Sequence, residues 1–370
     1  MTSKERITAA LSHIQPDRTP IFEYVLLSPI ADAILGRKYY NYDETEGKWN
    51  ELVKEIGWEK AVKNHAHDKI EIALKLGHDL IYATPNPLPP DTSSQNKNEN
   101  KIIIEYDEND PVEVIKARNI KRKYNIETNE LSDLYFQVYY FLQKEIEDRG
   151  LELDLFAPSY SHGVWTDTDL METMILDPEA AHEHFKLCTI DSLRRIEKYM
   201  KLSIRHIGVG GDFAGKRPII SPQSYREYIA PEIRILSDYI HNFGAWAINT
   251  SDGNLWDVID DFLIYTNVDG YMEIDMSAGM DLKKLKELYG DRITFYGNID
   301  CGTVLSFASL EEIERYTIEC IEAGMGNGGH IFTASNAITS TVPLSNYIAM
   351  NNAYRRYFGL PEFKCKALSY

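Results

Sequence analysis

Apolar and polar positions alternate along the chain in a repeating order. A short apolar run ends in small polar residues, and a helical pattern follows. Ala245-Trp-Ala-Ile-Asn-Thr-Ser-Asp-Gly-Asn254 shows it most clearly. The apolar start reads as a strand and the polar end as a turn. Leu255, Val258, Ile259, Phe262 and Leu263 then recur at helical spacing. Similar strand-like runs occur at 18–24, 79–84, 151–157, 203–212, 269–275, 292–300 and 329–335. Helical patterns cover 3–14, 28–35, 43–76 with a break at Gly57, 131–149, 169–200, 222–243, 281–289, 310–323 and 343–357.

Eight strands, each with helix before the next, predict an α/β fold of the (β/α)8 TIM type. The second strand stops at a run of prolines, and an insertion of about 86–150 follows. Its polar stretch 91–101 reads as a loop. Lys101–Tyr106, Pro111–Lys116 and Ile120–Tyr124 read as short antiparallel strands. No linker divides the chain, so residues 1–370 are expected to form a single domain. A doubly wound open sheet is the competing architecture. Neither a G-x-G-x-x-G after the first strand nor a P-loop supports it.

Composition narrows the function. Lys and Arg number 39 against 57 Asp and Glu, a formal charge of −18. This argues against a nucleic-acid binder, whose surface must displace counterions from phosphates. No apolar run approaches the length of a membrane span. The start Met1-Thr-Ser-Lys-Glu-Arg-Ile-Thr8 has no signal-like apolar core, so a cytoplasmic protein is expected. Cys188, Cys301, Cys320 and Cys365 are scattered without a C-x-x-C pair, which indicates neither a disulfide framework nor a zinc knuckle.

In a barrel, the carboxyl ends of the strands converge on one mouth. In order they offer Glu23 and Tyr24; Thr84; Ser159 and His162; Asp212 and Lys216; Asn249, Thr250 and Asp252; Glu273 and Asp275; Asn298, Asp300 and Cys301; Ser335 and Asn336. Carboxylates gathered in one pocket can hold a divalent metal or divide into acid and base by mutual repulsion. An Asp or Asn at such a junction also caps the following helix, and Asn254 has that reading. His65 and His67 stand two apart on a helix, a poor metal pair, and are read as packing or surface residues. His330 begins a strand, away from the mouth, and is read as structural.

An ordered series of motifs then resembles the uroporphyrinogen decarboxylase-like superfamily. It runs through Gly210-Gly-Asp212, Ile220-Ser-Pro-Gln-Ser-Tyr-Arg-Glu-Tyr228, Thr250-Ser-Asp-Gly-Asn254 and Met280-Asp-Leu-Lys-Lys-Leu-Lys286. Tyr296-Gly-Asn-Ile-Asp300, Ala334-Ser-Asn-Ala-Ile338 and Val342-Pro-Leu-Ser-Asn-Tyr-Ile-Ala-Met350 complete it. The resemblance implies a barrel and one of two activities: decarboxylation of uroporphyrinogen, or methyl transfer to or from a corrinoid, often with zinc. The decarboxylases resembled here carry an arginine-rich loop after the first strand. This chain has Phe22-Glu-Tyr-Val-Leu-Leu27, without arginine, and its second strand ends Ala83-Thr-Pro85 where those enzymes place an aspartate. A tetrapyrrole with eight carboxylates needs cations around it.

The resemblance therefore points to a methyltransferase component. It would move a methyl group from a small methylated substrate to a corrinoid carried by a partner protein. The thiol-activating members place His-x-Cys and a further Cys where this chain has Thr250-x-Asp252 and Asn336. Any metal, zinc included, would here rest on oxygen, with Asp252, Glu273 and Asp300 as the expected ligands. Asp252, Asp300 and Asp212 are the expected catalytic residues. Glu23, Tyr24, His162, Lys216, Asn249, Thr250, Asn298 and Asn336 are expected to bind substrate. The resemblance also implies a homodimer. A decarboxylase or lyase on a smaller acid, held by Lys216 and Arg217, is the alternative, and a non-catalytic binding barrel is the third.

Overall fold

A computed structural model describes residues 1–42, 46–90 and 104–366. In chain order, helices α1 (Ser3–Leu11), α2 (Ile30–Leu35), α3 (Glu46–Ile56) and α4 (Trp58–Leu76) precede strand β1 (Leu80–Tyr82). Helices α5 (Pro111–Thr128) and α6 (Gln137–Asp148) come next, then β2 (Asp154–Pro158), α7 (Thr168–Leu176), α8 (Pro178–Lys201) and β3 (His206–Gly210). Helix α9 (Ala230–His241), β4 (Trp246–Thr250), β5 (Gly270–Met272), α10 (Leu282–Tyr289) and β6 (Thr294–Tyr296) follow. Helix α11 (Leu310–Gly324), β7 (His330–Ile331) and α12 (Leu344–Tyr357) close the chain. The fold class is α/β of the TIM type, as the strand and helix pattern predicts. No helix among the described residues is long and apolar enough to cross a membrane.

The chain packs as two compact units. The first comprises 1–86, 137–156 and 269–370, the second 87–136 and 157–268. Within the first, β1 pairs with β2 and β5, β6 and β7 pair in sequence, all parallel. The predicted first strand is reduced to bridges. Ile21 bridges Phe332 in parallel, and its carbonyl accepts from the Asp79 N–H at 2.7 Å. That segment thereby fills a strand position between β7 and β1. Proline at 20, which has no N–H to donate, and two buried ion pairs beside Ile21 account for its brevity.

Those ion pairs converge on Asp79, which is fully buried. Its carboxylate accepts from Arg6 at 2.7 Å and from Arg18 at 2.7 and 2.9 Å, and also from the Ile21 N–H at 3.0 Å. The Ser3 hydroxyl donates to it as well, at 2.8 Å, and these five hydrogen bonds compensate the loss of hydration. One face of this unit's sheet is aromatic. Phe22 lies 5.8 Å from Tyr296 and 6.3 Å from Phe156, and Tyr82 lies 5.3 Å from Phe156, measured between ring centres.

In the second unit, β3 and β4 pair in parallel from His206↔Trp246 to Gly210↔Thr250. Residues 111–128 form one helix, which corrects the two short strands expected at 111–116 and 120–124. Asp110 caps it, accepting from the Val112 and Glu113 N–H groups, and Pro111 opens the first turn. Lys, Arg, Glu and Ala supply helix propensity between the β-branched residues that suggest strand. The stretch 101–103 of the first expected strand lies outside the described residues, and 104–106 carries no regular structure.

Candidate functional site

In the second unit, the ends of β3 and β4 are tied into one polar corner. The Gly211 N–H donates to the Thr250 carbonyl at 2.9 Å, and the Asp252 N–H donates to Asp212 Oδ1 at 3.0 Å. The Asn254 N–H donates to the Gly215 carbonyl at 2.7 Å. Gly253 permits this crossing. Its φ is +83°, and a β-carbon there would sit 2.5 Å from the Ala214 backbone. Asp212 and Asp252 are thus brought together, both half-buried. Asn254 Oδ1 accepts from the Trp256 N–H at 3.2 Å, so it has a turn-capping role beside them.

Asn249 and Thr250 are consecutive strand residues and point to opposite faces. Asn249 is fully buried; its amide donates to the Phe262 carbonyl and accepts from the Thr250 N–H, both at 3.0 Å. It is engaged with the helical layer, while Thr250 is half-buried. His162 is buried. Its Nδ1 accepts from the Val164 N–H at 3.3 Å, so Nε2 carries the proton and donates to the Gly211 carbonyl at 2.7 Å. Burial holds its pKa down at about 4, and it acts as a neutral brace behind Gly211-Asp212. Lys216 is exposed in the following loop.

In the first unit, Glu23 and Tyr24 lie just beyond the Ile21 bridge, outside any strand, and have different partners. Tyr24 packs edge-on to Tyr82, 4.6 Å between ring centres, on the aromatic face. Glu23 turns to the helix side, where Thr333 Oγ1 donates to it at 3.1 Å and the Tyr347 hydroxyl of α12 donates as well. Burial pushes the Glu23 carboxyl up to about 7 against these donors. Tyr347, far away in sequence, is a partner that no local motif announces.

Asn298 is also helix-facing. Its N–H donates to the Cys320 sulfur at 3.2 Å and its side-chain amide to the Met280 carbonyl at 3.5 Å. Asp300 spends its carboxylate on its own turn, accepting from the Gly302 N–H at 2.8 Å, from the Thr303 N–H at 3.2 Å and from the Thr303 hydroxyl. Glu273 is buried, with a left-handed φ of +69° that side chains other than glycine seldom adopt. Asn336 is half-buried and accepts from the Ala337 N–H at 2.6 Å. Cys301 is half-buried and near Ser335, whose hydroxyl accepts from its N–H at 3.3 Å.

Of the expected metal ligands, Asp300 has its carboxylate committed within its own turn. Asp300 already takes three hydrogen bonds, the arrangement of a cap rather than of a ligand waiting for a cation. Among the described residues, the grouping with metal-ligand spacing is His67, Glu71 and Glu145. Arg149 binds both of its carboxylates, at 2.8 and 2.9 Å, which makes it an ion-pair network between α4 and α6. His65 packs among Tyr39, Tyr42 and Trp49. His330 is buried and held to the Gly297 carbonyl at 2.7 Å. Both agree with the structural reading of their sequence context.

The fold matches a methyltransferase from Methanosarcina mazei over 97% of this chain and 99% of that one, with a TM-score of 0.64 and 16% identity. A 3-keto-D-glucoside 4-epimerase from E. coli matches more distantly: TM-score 0.38 and 13% identity, over 69% of this chain and 97% of that one. No curated protein sequence matches the chain. The family model described as uroporphyrinogen decarboxylase (URO-D) matches residues 163–357, more than half of the 370 residues and a span that contains the whole motif series. The chain belongs to the uroporphyrinogen decarboxylase family.

Proposed function

We propose that this protein is a methyltransferase component that moves a methyl group from a small methylated substrate to a corrinoid carried by a partner protein. The observation that carries the reading is the Asp212–Asp252 corner, two half-buried carboxylates held at adjacent strand ends by a backbone hydrogen bond. The whole-length likeness to a methyltransferase fold supports it. So does Phe22-Glu-Tyr-Val-Leu-Leu27, which offers no cation to a polycarboxylate tetrapyrrole.

The corrinoid supplies the nucleophile that accepts the methyl group. The chain's own residues handle the atom left behind. As the carbon–heteroatom bond breaks, the electron pair stays on the heteroatom. An oxygen or sulfur leaving atom then takes a proton from the Asp212–Asp252 corner, whereas a quaternary nitrogen leaves as a neutral amine without one. His162 holds Gly211, and Gly253 lets Asp252 reach Asp212, so both act by positioning.

The family's named chemistry gives the second reading, decarboxylation of a smaller acid. Exposed Lys216 and Arg217, in the loop after Asp212, favour it as carboxylate binders. One experiment separates the two. The protein is incubated with reduced corrinoid protein and a panel of methoxy aromatics, betaines and methylamines, while CO2 release is followed from candidate acids. Methyl transfer without CO2 release is expected; CO2 release that is lost in Lys216→Ala, without methyl transfer, overturns the reading. Metal content is measured in parallel. A stoichiometric divalent ion lost in Asp252→Ala would make Asp252 a ligand instead of a proton donor.

A further inference from the structure

Between α10 and α11 of the first unit lies a cavity of about 340 Å3, within the size range of small-molecule sites. Its apolar walls are Met276, Met280, Val304, Tyr316 and Ala323. Two flexible thioethers beside an aromatic ring suit a ring-sized body, since methionine adapts to irregular shapes and its sulfur contacts ring edges favourably. The charged side chains of the lining are committed elsewhere. Asp281 caps α10, accepting from the Lys284 N–H at 2.9 Å, and Asp300 is taken up by the donors of its own turn. Glu319 pairs with Arg315 at 2.9 Å, and Lys283 is exposed, so its ammonium stays hydrated. An ion entering the chamber would lose hydration for little in return.

One polar group of the lining is left over. Asn298 is buried, and its amide nitrogen donates to the Met280 carbonyl at 3.5 Å. A carbonyl can only accept, so the amide oxygen Oδ1 is turned the other way. Its donor there is the Cys320 thiol, at a long 3.9 Å. That thiol carries a single proton, and the Gly297 carbonyl lies closer to it, at 3.4 Å. Burial pushes the thiol up to about 12, so the proton stays on the sulfur. The sulfur in turn accepts from the Asn298 N–H at 3.2 Å. With the thiol proton given to Gly297, Asn298 Oδ1 is a buried acceptor without a donor, in the wall of a chamber large enough to hold one.

We propose that this cavity is a binding site for a small neutral phenol or aromatic alcohol. The ligand's hydroxyl donates to Asn298 Oδ1 and completes the hydrogen bonding of the buried amide. Its ring lies against the methionines and Tyr316 and removes their apolar surface from water.

Titration calorimetry on the full chain with phenol, benzene, benzylamine and benzoate tests the proposal. Phenol is expected to bind saturably and about fivefold more tightly than benzene, the scale of one neutral hydrogen bond. Benzylamine and benzoate, both charged at pH 7, are expected to bind more weakly than benzene. Ala323→Phe, at a half-buried position on the wall, fills the chamber and is expected to abolish phenol binding. Asn298→Leu removes the acceptor and is expected to bind phenol and benzene alike, measured on protein whose thermal midpoint shows it folded. If that variant does not fold, the wild-type preferences and Ala323→Phe decide the matter. No saturable phenol binding, equal affinity for phenol and benzene in the wild-type chain, tighter binding of either ion, undiminished phenol binding in Ala323→Phe, or a retained phenol preference in folded Asn298→Leu would overturn it.

Discussion

The backbone N–H of Asp252 is held by the carboxylate of Asp212 at 3.0 Å, so the turn after β4 is anchored by the end of β3. The bond gives Asp212 a structural duty as well as the chemical one proposed for it, and substitutions can divide the two. Asn at 212 retains an acceptor for the Asp252 N–H and removes the charge. Asp212→Asn is therefore expected to keep its thermal midpoint and to lose methyl transfer by about a hundredfold or more, the scale of a positioned acid. Asp212→Ala is expected to lose both, with about 1–2 kcal/mol of stability for the orphaned N–H. Thermal unfolding and single-turnover rates of the two variants check this.

Glu23 makes stability depend on pH in a direction opposite to that of an ion-paired acid. Its folded-state pKa, raised by burial to about 7, exceeds the ordinary value of 4.5, so folding favours the neutral form. Its contribution is full below about pH 4.5 and is lost as pH rises through 7. Glu23→Gln is expected to match wild type near pH 4.5 and to be more stable at pH 8, by up to about 3 kcal/mol. Denaturant titrations at the two pH values decide it; a variant less stable than wild type at pH 8 would show that the Thr333 and Tyr347 bonds outweigh desolvation.

Asp79 is the reverse case, a buried carboxylate whose worth lies in its partners. Asp79→Ala leaves Arg6 and Arg18 without their shared acceptor, and Arg6 is itself buried. Removing one member of such a cluster costs about 3–5 kcal/mol. The loss is expected in equilibrium unfolding, together with faster hydrogen exchange at Ile21, whose N–H donates to the same carboxylate.

Much of this arrangement is legible in the chain. Leu255, Val258, Ile259, Phe262 and Leu263 recur at helical spacing, and all five are buried. Small polar residues follow β4 where the pattern places them, because a strand must end where its apolar alternation does. Side-chain direction is harder to read. Asn249 and Thr250 are equally polar to the eye, yet a period of two sends neighbours to opposite faces. Without a known register, neither member of such a pair can be assigned. Caps are hidden similarly: Asp300 has the residue type of a ligand and the bonds of a cap, which depend on Thr303 folding back. Long-range partners leave no local trace, as with Tyr347 for Glu23 and Asp79 for Arg18. The helix 111–128 is obscured by its own valines and isoleucines, although Asp110-Pro111 is a start signal.

Methyl transfer assisted by the Asp212–Asp252 corner is tested most directly by a single-turnover measurement. Reduced corrinoid protein is mixed with a methylated donor and either the wild-type chain or Asp252→Asn, and conversion of the corrinoid absorbance to the methylated form is timed. The wild-type chain is expected to convert it, and Asp252→Asn to do so about a hundredfold more slowly with an oxygen- or sulfur-linked donor. No conversion with any donor of the panel, or an unchanged rate in Asp252→Asn with such a donor, would contradict it.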